Sequence, residues 1–447
     1  MQIESHHSSR LRRLLDWMPP RWLLLVLLCA VLLGRHDYLH SHYDQLALDP
    51  DGYRAVAWNV YHDHQFGRRG GAFASPYPTA ARPPLFPLVL SLGYWFDVDP
   101  GWPIGSLHVV LGALTVWAVW HLGRLWNLPP GACLLAAGLV AGDPILLVFS
   151  AQLMTETLAT FLAALALVAL TYSAGRSSLH WPILAGLLFG LCILCRPVFL
   201  TWLVGVAVLF PWLAIGEHRW RRLAILLIAT AVTLSPWTWR NYRVFGWPVI
   251  STTHGGFTLL LANNPSFYEY LRSAPWESTW DGRETNEQWR SAWKFLPTGA
   301  PYAPVPDEVA NDRWAYREAF KNIRAEPAMF AYSCLARVGR LWNVLPHQTT
   351  PDEGTARRGM RYAVAIWYTF EFLLAAAGAW FLRGKLFAHP WVWGTLMVLS
   401  TTAVHAFYWT DMRMRAPLAV VVALAAAQGL AVLACGKPSA SAWQDAA

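Results

Sequence analysis

The sequence predicts an all-α polytopic membrane protein, and three observations carry that prediction. Charged residues make up 14% and hydrophobic residues 55% of the 447-residue chain, whereas a soluble domain has about 25% charged residues. Apolar runs such as Leu158 to Leu170 and Ala224 to Leu234 have the character of membrane helices. The formal charge is +8, and the basic residues flank those runs instead of forming a separate block, which reads as topology signals and contact with lipid headgroups. A soluble core of this length would split into domains with polar surfaces, and the chain lacks the residues to cover them. A soluble enzyme, a disordered chain and a disulfide-stapled secreted domain are therefore excluded. No DNA- or RNA-binding signature is present.

A basic start (Arg10, Arg12, Arg13) precedes the apolar run Arg21 to Gly34. The run is followed by Arg35-His36-Asp37 and not by a small-residue cleavage site, so it reads as an uncleaved first span. Further spans are expected near 104–123, 129–149, 152–173, 181–196, 198–215, 222–240, 362–382, 390–408 and 415–434, giving about ten in all. The stretch Leu85 to Phe96 is short for a span and reads as re-entrant or interfacial. With the N-terminus inside, the inner turns contain Arg124, Arg176, Arg219 to Arg222, Arg383 with Lys385, and Lys437, as the positive-inside rule requires. The expected organisation is a cytoplasmic segment 1–20, a transmembrane catalytic module 21–240 with an outer loop 35–103, an outer region 241–361, C-terminal helices 362–434 and a cytoplasmic tail 435–447.

The outer segments have their own patterning. Residues 51–64 place Tyr53, Val56, Ala57 and Val60 on one helical face, which fits an amphipathic juxtamembrane helix. The outer region, about 120 residues long, is expected to be helical, with helices at 307–325 and 328–343 broken at Pro327. Trp276, Trp280, Trp289 and Trp293 read as interfacial tryptophans, with a sugar-stacking surface as the sharper alternative. Five of the six cysteines lie in apolar segments, including Cys192 and Cys195, and read as small buried residues. His36, His40, His42, His62 and His64 crowd the first outer segment and read as interfacial histidines without a metal.

The polar residues that stand out gather at the outer ends of spans. They are Asp49, Asp51, Arg82, Glu156, Arg196, Arg240, His405, Asp411, Arg413 and Arg415. A charge at mid-membrane depth costs about 2.5–3.5 kcal/mol, so this common level points to one wet cavity facing outside. Carboxylates there supply a base or a metal site. Arginines supply bidentate anion binding. Together they fit group transfer from a lipid phosphate to a hydroxyl. His254, beside Gly255 and Gly256, is placed for contact with donor or acceptor. Asn263 and Asn264 would bind sugar hydroxyls or cap a turn.

Ordered motifs carry a family likeness. They are Asp49-Pro50-Asp51-Gly52-Tyr53, Arg82-Pro83-Pro84, Met154-Thr155-Glu156-Thr157, Arg196-Pro197, Ser235-Pro236-Trp237-Thr238-Trp239-Arg240-Asn241, Thr253-His254-Gly255-Gly256, Asn263-Asn264-Pro265 and Asp411-Met412-Arg413-Met414-Arg415-Ala416-Pro417. In these the chain resembles the integral-membrane glycosyltransferases of C-type fold, in the branch of protein O-mannosyltransferases and lipid A aminoarabinose transferases. The resemblance implies a hexosyl or pentosyl transferase that takes one sugar from a polyprenyl-phosphate donor to a hydroxyl acceptor by inverting displacement. Its active site would face the periplasm or exterior of a cell membrane. Asp49 or Asp51 would be the base, and Glu156 would orient the acceptor or share a divalent ion with the aspartates. Arg82 foremost, with Arg196, Arg413 and Arg415, would bind the donor phosphate. Tyr53, Arg240, His254, Asn263 and Asn264 would contact sugar or acceptor. No cofactor is certain, and a divalent metal is the one candidate. The family often has adjacent acidic residues in the first motif, whereas Pro50 separates them here. The alternatives are an O-antigen ligase or polymerase type enzyme using a diphosphate-linked glycan, and a non-enzymatic transporter.

Overall fold

Residues 21–69, 76–96, 99–276, 278–296, 305–348 and 353–435 are described by the structure, a computed structural model. The basic start and nearly all of the C-terminal tail lie outside these residues. Helices supply almost all of the regular structure, joined by two antiparallel strand pairs of two residues each, Gly67–Arg68 with Tyr77–Pro78 and Phe295–Leu296 with Val305–Pro306.

Each expected span contains a helix. Among the described residues, Trp22–Ser41, Gly101–Leu125, Glu156–Gly175, Arg219–Phe245, Thr355–Phe381 and Met412–Ala434 are long and apolar enough to cross a membrane. Pro130–Gly142 and Pro144–Ala151 form an apolar helix pair bent by 49°, the geometry of a broken span or a re-entrant loop. The bend has a local cause. Pro144 disfavours helix at Asp143, and the Asp143 carboxylate instead caps the next turn by accepting the Leu146 N–H at 2.8 Å. His180–Cys195, Phe199–Leu213 and Val392–Phe407 are shorter apolar helices, and Arg196-Pro197 separates the first two.

The first helix continues past Gly34, where its apolar run ends, to Ser41. Arg35 is buried there, and its Nη1 donates to the Leu146 carbonyl at 2.8 Å. The charge is thus tied to the bent helix pair instead of ending the helix. In the core, Trp126, Trp202 and Trp393 are fully buried. Trp126 Nε1 donates to Thr171 Oγ1 at 3.1 Å and Trp202 Nε1 to the Trp393 carbonyl at 3.0 Å, the partners a buried indole requires. Thr355–Phe381 and Ala419–Cys435 pack through Gly378 and Gly429, where an added Cβ would collide with the backbone of Ala425 or Leu374 on the facing helix. Large apolar side chains such as Val232, Trp239, Ile366 and Phe370 point outward, as lipid-facing residues do.

The juxtamembrane helix is Tyr53–Asp63. It buries Tyr53, Val56, Ala57 and Asn59, with Val60 half-buried. The face is rotated slightly from the apolar one because Asn59 Nδ2 donates inward to the Gly67 carbonyl at 3.0 Å. The short helix Leu85–Gly93 packs on it, with Phe86 edge-on to Tyr53 at 5.2 Å. The region expected to be outer contains the helices Gly255–Ala262, Pro265–Ser273, Arg283–Ser291, Glu308–Ala325 and Pro327–Leu341, the last two broken at Pro327 as expected. Its tryptophans pack against each other and their neighbours. Trp280 meets Phe267 and Trp409, and Trp289 lies parallel to Phe257 at 4.0 Å.

Candidate active site

The site starts with a tight turn. Gly52 has φ of 73°, a left-handed conformation that a side chain would oppose. The turn sets Asp49 and Asp51 at the N-terminus of Tyr53–Asp63. Asp49 Oδ2 accepts the Ala55 N–H at 3.1 Å, satisfying one of the unpaired first-turn donors. Its Oδ1 is enclosed and has no hydrogen-bond partner.

Asp51 faces a row of charges. Arg82 donates from Nε to the Asp51 carbonyl at 2.7 Å and from Nη2 to Asp51 Oδ1 at 3.2 Å. Arg413 Nη1 lies 3.6 Å from Asp51 Oδ2 and 3.8 Å from Glu156 Oε1. Arg196 Nη2 lies 3.8 Å from the same Glu156 oxygen. The order Arg82, Asp51, Arg413, Glu156, Arg196 therefore alternates in sign. Asp411 supports Arg413 from behind, accepting its backbone N–H at 2.9 Å and its Nε at 3.2 Å. Glu156 begins its span and is only 1% exposed. Its Oε2 and Arg196 Nη1 are both enclosed without a hydrogen-bond partner. A buried carboxylate held between arginines beyond hydrogen-bond range contributes little to stability, because desolvation offsets the attraction. Such an arrangement is suited to holding charge at a reacting group.

Tyr53 lies behind Asp51, with Arg82 5.7 Å from its ring centre. Burial, assisted by Asp51 and Glu156, pushes its phenol above the ordinary range, so it stays a neutral donor. His254 stands just before Gly255–Ala262, with its ring 5.0 Å from Phe257 and 5.9 Å from Trp289. Burial, then Arg82 and Arg68, push it well below the usual imidazole range. It is neutral at pH 7.

The other expected site residues go elsewhere. Arg415 Nη1 donates to the carbonyls of Leu341 at 2.9 Å and Asn343 at 2.6 Å, and its guanidinium covers Tyr368 at 4.3 Å. Arg240 donates to the carbonyls of Thr79 at 2.8 Å and Phe66 at 2.7 Å, holding the first outer loop against its own helix. Asn263 Nδ2 donates to the carbonyls of Leu259 and Phe407, both at 2.9 Å, and its Oδ1 accepts from Tyr268 and Arg337. Asn264 caps Pro265–Ser273 by accepting the Phe267 N–H at 2.8 Å. Between sugar contact and capping, the geometry gives Asn264 the cap and leaves Asn263 with a fully used amide.

Two residues near the site escape sequence reasoning. Glu308 accepts from the Thr79 hydroxyl, from the Ala80 N–H at 2.7 Å and from the Thr253 hydroxyl at 2.8 Å. It thereby joins the segment before Arg82 to the segment before His254. Arg68 is the other. Both lie in outer segments with many charges and no repeating pattern. As for a divalent ion, no group of three or more His, Cys, Asp or Glu among the described residues could hold one. Asp51 and Glu156 face arginines, so the donor set does not fit a cation.

Residues 81–239 match the family model described as dolichyl-phosphate-mannose-protein mannosyltransferase. The chain is similar to the C-type membrane glycosyltransferases. The matched segment contains Arg82, Glu156 and Arg196 and ends just before Arg240. No curated protein matches the chain. Among solved structures, ArnT from Cupriavidus metallidurans bound to undecaprenyl phosphate aligns with a TM-score of 0.43 and 15% identity over 91% of this chain and 77% of that one. The same protein in its apo state gives 0.41 and 14% over the same shares.

Proposed function

We propose that this protein transfers one monosaccharide from a polyprenyl-phosphate donor to a hydroxyl acceptor at the outer face of a cell membrane. The observation that carries this reading is the alternating row Arg82, Asp51, Arg413, Glu156 and Arg196 beside the unpartnered oxygen of Asp49. Within the reading, the arginines take the donor phosphate and Asp49 is the base. The acceptor oxygen attacks the anomeric carbon as the carbon–oxygen bond to the phosphate breaks. The acceptor proton passes to Asp49 Oδ1, and the bond electrons leave with the polyprenyl phosphate. Attack from the opposite face inverts the anomeric centre. Asp51 is the weaker candidate for the base because both of its carboxylate oxygens face arginines.

Arg82 neutralises charge that grows on the leaving phosphate, a term that favours the transition state over the ground state. Glu156 keeps Arg196 and Arg413 from collapsing onto Asp51, and Tyr53 supplies a neutral donor at the same level. The matched mannosyltransferase segment supports glycosyl transfer as the reaction class. The sidedness rests on the basic inner turns.

Lipid extraction of the gently purified protein, with mass spectrometry of the extract, tests this reading. A polyprenyl phosphate carrying one sugar is expected, and adding acceptor lipids or peptides should discharge it. A diphosphate-linked oligosaccharide as the bound lipid would replace this reading with the ligase one.

A further inference from the structure

Arg68 sits in the strand Gly67–Arg68, opposite Tyr77. That hairpin is fixed on both sides. Asn59 Nδ2 donates to the Gly67 carbonyl at 3.0 Å, the Thr79 N–H to the Phe66 carbonyl at 3.2 Å, and Arg240 Nη2 to the same carbonyl at 2.7 Å. The strand partner runs on through Thr79 and Ala80, which Glu308 holds, to Arg82. The strand that carries Arg68 is therefore held by hydrogen bonds from both sides.

The Arg68 guanidinium reaches the catalytic turn, with Nη2 3.8 Å from the position a Cβ on Gly52 would occupy. Neighbouring arginines each have an acid. Arg69 bonds both oxygens of Asp63 at 2.9 and 2.7 Å, Arg54 bonds Asp99 at 2.6 Å, and Arg82 bonds Asp51. Arg68 has no hydrogen bond or ion pair among the described residues, although it is half-buried. Burial, then the nearby Arg82, lower its pKa, and the more weakly acting Glu308, Tyr77 and Asp49 offset them only in part. A partly desolvated cation beside a second cation is unfavourable until an anion joins them.

We infer that Arg68 is a further anion-binding arginine of the candidate site, outside the alternating row, taking the donor's phosphate beside the Asp49–Tyr53 turn together with Arg82. This rests on the functional reading above. Arg82 already uses Nε and Nη2 on Asp51, whereas none of the five donors of Arg68 has a hydrogen-bond partner among the described residues, and they can form the planar fork that phosphate accepts.

Binding of bare undecaprenyl phosphate to the full-length protein, followed by native mass spectrometry, tests the inference. Arg68→Gln keeps the stem on the hairpin and should weaken binding about ten-fold or more, as loss of a charge-assisted bond does. Arg68→Lys should fall between, and Arg69→Ala should bind like the wild type. Melting temperatures of the variants confirm that the fold is kept. Wild-type affinity in both Arg68→Gln and Arg68→Lys, with loss in Arg82→Ala, would overturn this inference and leave the donor reading standing. Failure of the wild type itself to bind the lipid would remove the donor reading. Inorganic phosphate displacing the lipid at matched concentration would identify a free-phosphate site and overturn the lipid assignment.

Discussion

Arg413 and Arg415 lie two residues apart on one 3-10 turn, Met412–Leu418, yet serve different clusters. Arg413 stands between Asp51 and Glu156, whereas Arg415 is buried against Tyr368 and two backbone carbonyls. Tyr368 in turn donates to Asp143 at 3.2 Å, at the bend of the helix pair. The turn therefore anchors on one side and presents a charge on the other.

This division makes the two arginines separable. Arg413→Ala should reduce turnover by about 10²-fold or more, in the range for loss of an electrostatic stabiliser, with little change in melting temperature. Arg415→Ala should destabilise by about 2–4 kcal/mol, since it leaves two carbonyls and a ring without their cation. Thermal unfolding and turnover measured on both variants check the split.

Glu156→Gln should keep the fold but disturb the balance between Arg196 and Arg413. The expected outcome is a raised KM for donor with turnover lowered about ten-fold or more. Donor titration of the variant in steady-state assays checks this. An unchanged KM would assign Glu156 to packing at its span end.

Glu308 gives a third prediction. Glu308→Ala releases three donors and loosens the approach to Arg82 and His254 together, so donor KM should rise several-fold. Glu308→Gln keeps an acceptor for Ala80 and Thr253, and its amide can donate to Thr79. It should recover most of the loss. In an Arg82→Ala background the Glu308→Ala penalty should shrink, because both changes act on one group.

Asp312 gives a pH prediction. Its carboxylate accepts the Gly256 N–H at 2.6 Å, and burial raises its pKa from 3.8 to about 6. The folded state therefore binds the extra proton between those values. Its contribution is fully favourable below pH about 4 and is lost as pH rises through about 6. The shift corresponds to at most about 3 kcal/mol, less for a residue in partial contact with solvent. Melting curves of Asp312→Asn minus wild type, across pH 4 to 7, should show the variant gaining relative stability with rising pH.

Much of this was legible in the sequence for a physical reason. Charges are scarce in a chain of this composition and expensive in a membrane, so Asp51, Arg82, Glu156, Arg196 and Arg413 stand out even though they are far apart in sequence. The helices followed from apolar runs, and the breaks at Pro197 and Pro327 from proline, whereas the bend at Pro144 fell inside a segment read as one continuous span. What escaped was partnership. Nothing local distinguishes Arg415 from Arg413, since their roles depend on which spans pack beside the turn. Asn263 and Asn264 read equally well as sugar ligands until the carbonyls of Leu259, Phe407, Leu260 and Leu261 are seen to take their amides. Arg68 and Glu308 lie among other charged residues of the outer segments, where charge carries no signal of its own.

The most direct test of the account is single-turnover transfer by Asp49→Asn and Asp51→Asn with donor bound. Asp49→Asn should bind donor like the wild type and lose transfer by about 10²–10⁴-fold, the usual span for a general base. Asp51→Asn should bind donor more weakly and retain more transfer once donor is saturating. Unimpaired transfer by Asp49→Asn would contradict the account, and the base would have to be sought elsewhere along the arginine row.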